Sequence, residues 1–194
     1  MNRKDRMYCL GVSDHVSPGM LRIVDRLQDS PAQVISELGE VLVQTPLARV
    51  IFGDRTILTG LARSTVHAWF SDPATRDVYP AEDHDERGAT FVAELRATRA
   101  RQGRGSRAAA IVDDLLATSP DFVELWERHD VAEKHPASKR LQHPEIGVMT
   151  LECQTLLDME TQQRLLVFTA KPGTPDAEKL ALLAVIGTQR LAAR

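Results

Sequence analysis

The chain has 194 residues, which is long enough to bury one sizeable hydrophobic core, so a single domain is the starting expectation. A formal net charge of -3, with 26% charged residues, gives no electrostatic basis for nucleic-acid binding by the whole surface. No apolar run approaches a membrane span, no apolar h-region follows the basic N-terminus, and two cysteines are too few for a disulfide framework. These features favour a reduced, cytoplasmic setting.

The first part of the chain predicts a tail, a short helix and a hairpin. Residues 1–17 are polar and aperiodic, which is typical of a tail. Apolar residues at helical spacing predict an amphipathic helix at 18–27. Two β-branched runs, at 32–35 and 41–43, lie on either side of Gly39 and predict a hairpin in which this glycine has a positive φ.

The middle of the chain has the periodicity of helices. Short helical patterns run from Pro46 to Phe70, and Phe91 begins the inward face of a longer helix. A loop at 102–107, rich in glycine and arginine, follows it. The clearest amphipathic helix comes next, because apolar residues between 108 and 116 fall at i, i+3, i+4, i+7 and i+8.

A further helix is predicted after Ser119, which has a typical N-cap side chain and is followed by Pro120 in the first helical position. Two aromatic residues, a leucine and a histidine then fall at i, i+3, i+4 and i+7, so we expect them to share one helical face. They are Phe122, Leu125, Trp126 and His129.

After Pro136 the periodicity changes from helical to two. Strands are predicted at 139–142, 149–153 and 165–169. A last helix, at 177–191, is apolar on nearly all sides, which predicts that it is buried, partly by another chain. A homodimer is therefore plausible.

The predicted element order is two strands, a run of helices, three strands and a terminal helix. Strands at both ends with helices between them indicate one antiparallel sheet covered by helices, and not alternating βαβ units. The fold class is therefore α+β, with the element order of a PAS-like domain, a half-barrel whose helical middle covers a central cavity.

A series of short motifs, in a fixed order over most of the chain, resembles the ligand-binding domain of MmyB-like regulators of the XRE helix-turn-helix family. The most extended piece is FSDPATRDVYP at 70–80. The others lie at 16–21, 30–32, 95–96, 119–122, 125–126, 129–131, 139–141, 143–147 and 169–175.

This resemblance implies that residues 18–194 form a PAS-like sensor that accepts a fatty acid or a similar lipid. It also implies that DNA is bound only through a helix-turn-helix, for which the polar tail has no room. Two departures from the family pattern are Gln44-Thr45, where Trp-Asn is usual, and Ala81-Glu82 after the Tyr-Pro, where an aromatic residue is frequent.

An apolar cavity for an alkyl chain requires apolar walls and a few polar groups at its mouth. The alternative for each wall residue is an ordinary place in the core. The candidate walls are Phe91, Leu95, Ile111, Leu115, Phe122, Leu125 and Trp126.

The candidate partners of a carboxylate head group are basic residues, because a carboxylate that leaves water needs a charge-assisted hydrogen bond. They are Arg96, His129, Lys139 and Arg140. A solvated strand edge is the alternative for Lys139 and Arg140, and a histidine that interacts with the helix dipole is the alternative for His129.

The sequence has no catalytic or metal-binding motif of known spacing. It lacks a Gly-x-Ser-x-Gly elbow, a phosphate loop and a His-Glu-x-x-His, and its histidines match no ligand pattern, so we expect no enzyme, no metal and no cofactor. Cys153 is expected to be an inert thiol in a half-buried strand. Two hypotheses remain: a sensor of a lipid-like ligand, or a protein–protein interaction module without a ligand.

Overall fold

The computed structural model describes residues 15–130 and 137–192, with side chains as far as residue 187. Most of the predicted tail, residues 1–14, lies outside the described residues. The first two strands are β1 (Ala32–Ile35) and β2 (Val41–Gln44), and Gly39 between them has a φ of 69°. The predicted hairpin and the predicted positive φ are both confirmed.

One five-stranded antiparallel sheet forms the base of the fold. The last three strands are β3 (Ser138–His143), β4 (Gly147–Leu157) and β5 (Arg164–Thr169), and the order across the sheet is β2-β1-β5-β4-β3. A strand from the N-terminal part of the chain therefore pairs with a strand from the C-terminal part at the sheet centre, where β1 lies beside β5. This confirms the predicted α+β fold with a PAS-like sheet.

Helices occupy the positions that the apolar periodicity predicts, and most begin at a capping side chain. Ser17, Thr45, Ser64, Ser106 and Ser119 each accept a hydrogen bond from a backbone N–H of the first helical turn. The helices are α1 (Pro18–Val24), α2 (Pro46–Phe52), α3 (Thr65–Ser71), α4 (His84–Gln102), α5 (Arg107–Thr118), α6 (Pro120–Glu127) and α7 (Pro175–Ala192), with short 3₁₀ helices at Gly60–Arg63, Pro73–Arg76 and Ala81–Asp83.

The two faces of the sheet are covered differently. Leu165 of β5 pairs with Val34 of β1, and α1 covers both through Met20 and Val24. On the opposite face α2 and α7 pack against Leu141 of β3 and Met149 of β4. The buried Leu183 of α7 lies in this cluster. The helices α3, α4, α5 and α6 pack around a third cluster, beside the sheet, in which Phe122 is fully buried.

One sequence expectation is wrong in detail. The helix α6 ends at Glu127, and His129 follows it with a φ of 55°, so this histidine does not share the helical face of Phe122. On the last helix Leu182 and Val185 are 51% and 56% exposed in the single chain, so the burial of this helix by another chain stays a prediction.

Candidate functional site

A cavity of about 360 Å³ lies between the sheet and α4. Its floor comes from alternate residues of the strands, because period two places Leu166 and Phe168 of β5 on one face of the sheet. Its roof comes from one stripe of α4, at i, i+3, i+4 and i+7. These helical residues are Arg87, Thr90, Phe91 and Glu94.

The helix α4 separates the cavity from the helical core. Phe91 lines the cavity, whereas Val92 and Leu95 point into the cluster formed with α3, α5 and α6. Gly88 allows α6 to come close on that side, since a Cβ at this position would lie 3.1 Å from Leu125 Cδ1. The helical cluster therefore fixes the position of the cavity roof.

The cavity contains two cations without a carboxylate partner. Among the residues that the structure describes, neither Lys139 nor Arg87 forms an ion pair, and Arg87 Nε is buried without a hydrogen-bond acceptor. Burial lowers the pKa of Lys139, and the nearby Arg87 lowers it further. The guanidinium of Arg87 lies 4.6 Å from the centre of the Tyr79 ring, in a cation–π contact.

The third cation of the cavity is neutralised. Arg164 Nη1 lies 3.1 Å from Glu94 Oε1, in an ion pair that joins β5 to α4 at one end of the cavity. The anion-binding capacity of the cavity therefore lies with Lys139 and Arg87.

Two neutral groups of the cavity also titrate. Burial raises the pKa of the Cys153 thiol and of the Tyr79 phenol, so both groups are protonated at neutral pH. This agrees with the inert thiol that the half-buried strand predicts. Neither group adds a negative charge that would repel an anion.

The cation end of the cavity adjoins a depression of about 270 Å³ on the protein surface. Arg87, Thr90 and Lys139 line both spaces, and Arg140 lies at the outer one. A ligand that enters here reaches the cations first and the apolar floor afterwards.

The structure brings only Phe91 and Lys139, of the predicted site residues, to the cavity wall. The other predicted wall residues belong to the helical core or pack against it, so their role in ligand binding stays a prediction. They are Leu95, Ile111, Leu115 and Phe122, which are buried, and Leu125 and Trp126, which are partly buried.

The remaining head-group candidates have partners of their own. Arg96 donates hydrogen bonds to the backbone oxygens of Trp126 and Asp130, and its guanidinium lies 4.4 Å from the centre of the Trp126 ring. Because the Arg96 side chain satisfies carbonyl oxygens near the end of α6, it helps to hold that end of the helix in place.

Arg140 and His129 lie at the exposed surface. Arg140 forms ion pairs of 2.6 Å with Glu82 and 3.0 Å with Asp83, on the outer side of the depression. The ring nitrogen Nδ1 of His129 lies 2.6 Å from the backbone oxygen of Glu127. Neither residue lines the cavity, and their binding of a ligand stays a prediction.

Sequence reasoning missed several residues of the cavity. Arg87 follows an acidic run, and nothing in that run indicates that this basic residue is half-buried. Its spacing of four from Phe91 was the available signal, because both must lie on one face of α4. The missed residues include Ile35, Tyr79, Arg87, Leu166 and Phe168.

Comparisons with known proteins identify the fold family. The described residues contain no helix that is long and apolar enough to span a membrane, and no group of three His, Cys, Asp or Glu residues that could hold a metal ion. The histidines that match no metal-ligand pattern include His135, which lies outside the described residues. A comparison with curated protein sequences gives no match. A family model described as the MmyB-like transcription regulator ligand binding domain matches residues 16–183, and the chain therefore belongs to this family.

Proposed function

We propose that this domain senses an amphiphilic carboxylic acid, such as a fatty acid, in the cavity between the sheet and α4. The observation that carries the proposal is the pairing of unpartnered cations with an apolar surface in one cavity. Lys139 and Arg87 supply the charge, and Phe91, Leu166 and Phe168 supply the apolar surface.

The energetics of the cavity favour a ligand with a negative head and an apolar body. Each CH₂ group that leaves water contributes about 0.8 kcal/mol. A carboxylate that reaches Lys139 gains a charge-assisted hydrogen bond, and it adds to the counter-charge of Glu94, which acts on Lys139 without forming an ion pair with it. The volume of about 360 Å³ is at the lower end of the range of roughly 300–1,000 Å³ for ligand sites, so an acid with one chain of medium length fits best.

The strand β5 offers a route from the ligand to the N-terminal helix. Leu166 and Phe168 face the cavity, whereas Leu165 faces α1 on the opposite side of the sheet. A ligand that moves β5 therefore acts on the packing of α1, and through it on whatever precedes this helix in a regulator. This is the change by which the domain would transmit ligand binding.

A panel of ligands tests the proposal by thermal unfolding. Dodecanoate, below its micellar concentration, should raise the melting temperature by several degrees, since saturation at 100 times Kd adds about 2.7 kcal/mol of stability. Dodecanol has the same chain without the charge and should give a much smaller shift. A protein whose melting temperature no acid of any chain length raises would support the interaction module instead. Equal shifts with dodecanoate and dodecanol would mean that Lys139 and Arg87 do not bind the head group.

A further inference from the structure

A second cavity, of about 250 Å³, lies on the other side of Tyr79 from the first. It is enclosed by α2, the 3₁₀ helix Pro73–Arg76 and the edge of the sheet. Gln33, Thr65 and Tyr79 line both cavities and form the wall that they share. The cations of the first cavity, Lys139 and Arg87, do not line the second.

The second cavity holds a buried guanidinium whose hydrogen bonds are not satisfied. Arg55 Nε and Nη2 are both buried, and neither has an acceptor among the residues that the structure describes. The backbone of this residue is held in place, because its N–H donates a hydrogen bond of 3.0 Å to Gln44 Oε1. A charged donor that is buried without an acceptor is costly, so a group in the cavity that accepts from it is strongly favoured.

Nearby carboxylates do not neutralise this guanidinium. Asp77 lines the cavity and Asp72 lies close enough to act on Arg55, yet neither forms an ion pair with it. Burial is the largest influence on the Arg55 side chain and lowers the pKa of its guanidinium. The site therefore favours an anion, because an anion supplies the missing counter-charge.

The other lining residues indicate which chemical groups the anion has besides its negative charge. Trp69, Phe52 and Val78 offer apolar surface for a short body, and the amides of Gln33 and Gln142 offer further hydrogen bonds. The planar fork of an arginine matches a carboxylate with two parallel hydrogen bonds.

We infer that Arg55 forms a second binding site, for a small organic carboxylic acid, separated by Tyr79 from the cavity of Lys139. The inference goes beyond the proposed function and does not depend on it, because the two sites use different cations. A carboxylate in this site accepts from Arg55 Nε and Nη2 while its apolar body contacts Trp69 and Phe52.

Titration with hexanoate that carries ¹³C in the carboxyl group tests the second site. The wild-type protein should give a saturable shift of the carboxyl resonance. Arg55→Gln should weaken binding about tenfold or more, since it removes a charged hydrogen-bond donor. Arg55→Lys, which keeps the charge but loses the planar fork, should give an intermediate affinity.

Two control variants separate this site from its surroundings. Arg49→Gln removes an arginine of α2 that is 44% exposed, and Lys139→Met removes the cation of the first cavity. Arg49→Gln should bind hexanoate within about twofold of the wild type, because surface charges contribute little. Lys139→Met removes only the hexanoate that the first cavity holds, so the part of the shift that depends on Arg55 should remain. Melting curves establish that each variant is folded. If Arg55→Gln does not fold, the reduced affinity of Arg55→Lys provides the test.

The inference would be overturned by three results. One is the absence of saturable binding by the wild-type protein. Another is an affinity that neither substitution of Arg55 reduces. The third is a loss on Lys139→Met as large as that on Arg55→Gln, which would place hexanoate in the first cavity and leave the proposed function intact.

Discussion

The charge of Lys139 has two opposite effects. It attracts an acid, but it lowers the stability of the folded protein because the ammonium is half-buried without an ion-pair partner in the described part of the chain. Lys139 points to the same side of the sheet as Cys153 and Phe168, and burial is the largest influence on its pKa. Residues that serve a binding site at the expense of stability are expected in natural proteins. Lys139 is a residue at which such a conflict is expected, because its ammonium is half-buried in the candidate ligand cavity.

The first prediction concerns stability without ligand. Lys139→Met should raise the free energy of unfolding by about 0.5–2 kcal/mol, because it replaces a half-buried charge by an apolar side chain of similar length. Lys171→Met removes an exposed lysine after β5 and should change this free energy by less than about 0.5 kcal/mol. Urea unfolding of the three proteins gives the comparison, and a destabilised Lys139→Met would mean that the ammonium is well solvated.

The difference in unfolding free energy between Lys139→Met and the wild type should depend on pH. Because the pKa of Lys139 in the folded protein lies below its ordinary value of 10.5, the unfolded chain holds this proton to higher pH than the folded one. The cost of the charge is therefore complete below the folded pKa and is recovered as the pH rises towards 10.5. The advantage of Lys139→Met should shrink over that range, and an advantage that grows with pH would contradict the assignment.

Cys153 provides a reporter of cavity occupancy. Burial raises the pKa of its thiol above the ordinary value of 9.0, so little thiolate is present at neutral pH and alkylation should be slow. Iodoacetamide labelling at pH 7.5, followed by peptide mapping to separate Cys153 from Cys9, should be about tenfold slower than for free cysteine. Dodecanoate should slow it further, and labelling that is fast and insensitive to dodecanoate would place the thiol outside the ligand cavity.

At the level of elements, α4 and α7 determine the geometry around the cavity. The helix α4 carries cavity residues on one stripe and helical-core residues on another, so it transmits the packing of α5 and α6 to the cavity roof. The helix α7 packs against α2, which lies behind the second cavity. At Gly187 the helix α7 comes close to Val50 of α2.

A substitution at this helix contact should be costly. A Cβ at Gly187 would lie 2.5 Å from Val50 Cγ2, and Val50, being β-branched in a helix, has few other rotamers. Gly187→Ala should therefore destabilise the protein by about 1–3 kcal/mol. Gly19→Ala in α1 is the matched control, because its Cβ would meet nothing closer than 4.0 Å, and it should be neutral or stabilising by up to about 1 kcal/mol. Equal effects of the two substitutions in urea unfolding would contradict the close contact of α7 with α2.

The elements were predictable from the sequence because their signals are local. The alternation in β4 and the i, i+3, i+4 pattern in α5 each depend on one segment, as do the capping residues such as Ser119. The end of α6 was misjudged because the left-handed φ of His129 has no marker in the sequence, such as a glycine.

The candidate site was less predictable, because it depends on contacts between distant segments. An apolar helical face is recognisable, but the sequence does not say whether it meets other helices, as Phe122 does, or a ligand cavity. The cavity exists because β1 pairs with β5, with Gln33 opposite Leu166. Only Phe91 and Lys139 carried a local signal that agrees with their final place.

For the molecule as a whole, the sheet lies between the candidate ligand cavities and the N-terminal helix α1. One face lines the candidate ligand cavities and the other packs against α1, so the central strands β1 and β5 each contact both sides. Membership of the MmyB-like family makes this chain a ligand-binding domain of the transcription-regulator type. A ligand in the first cavity would therefore lie one strand away from α1.

The most direct test of this account is calorimetric titration of dodecanoate into the wild-type protein, Lys139→Met and Lys171→Met. The account predicts saturable binding by the wild type, an affinity about tenfold or more lower for Lys139→Met, and an unchanged affinity for Lys171→Met, because a hydrogen bond to a charged group contributes about 1.5–3 kcal/mol. The account would be contradicted if the wild type did not bind dodecanoate, or if all three proteins bound it equally.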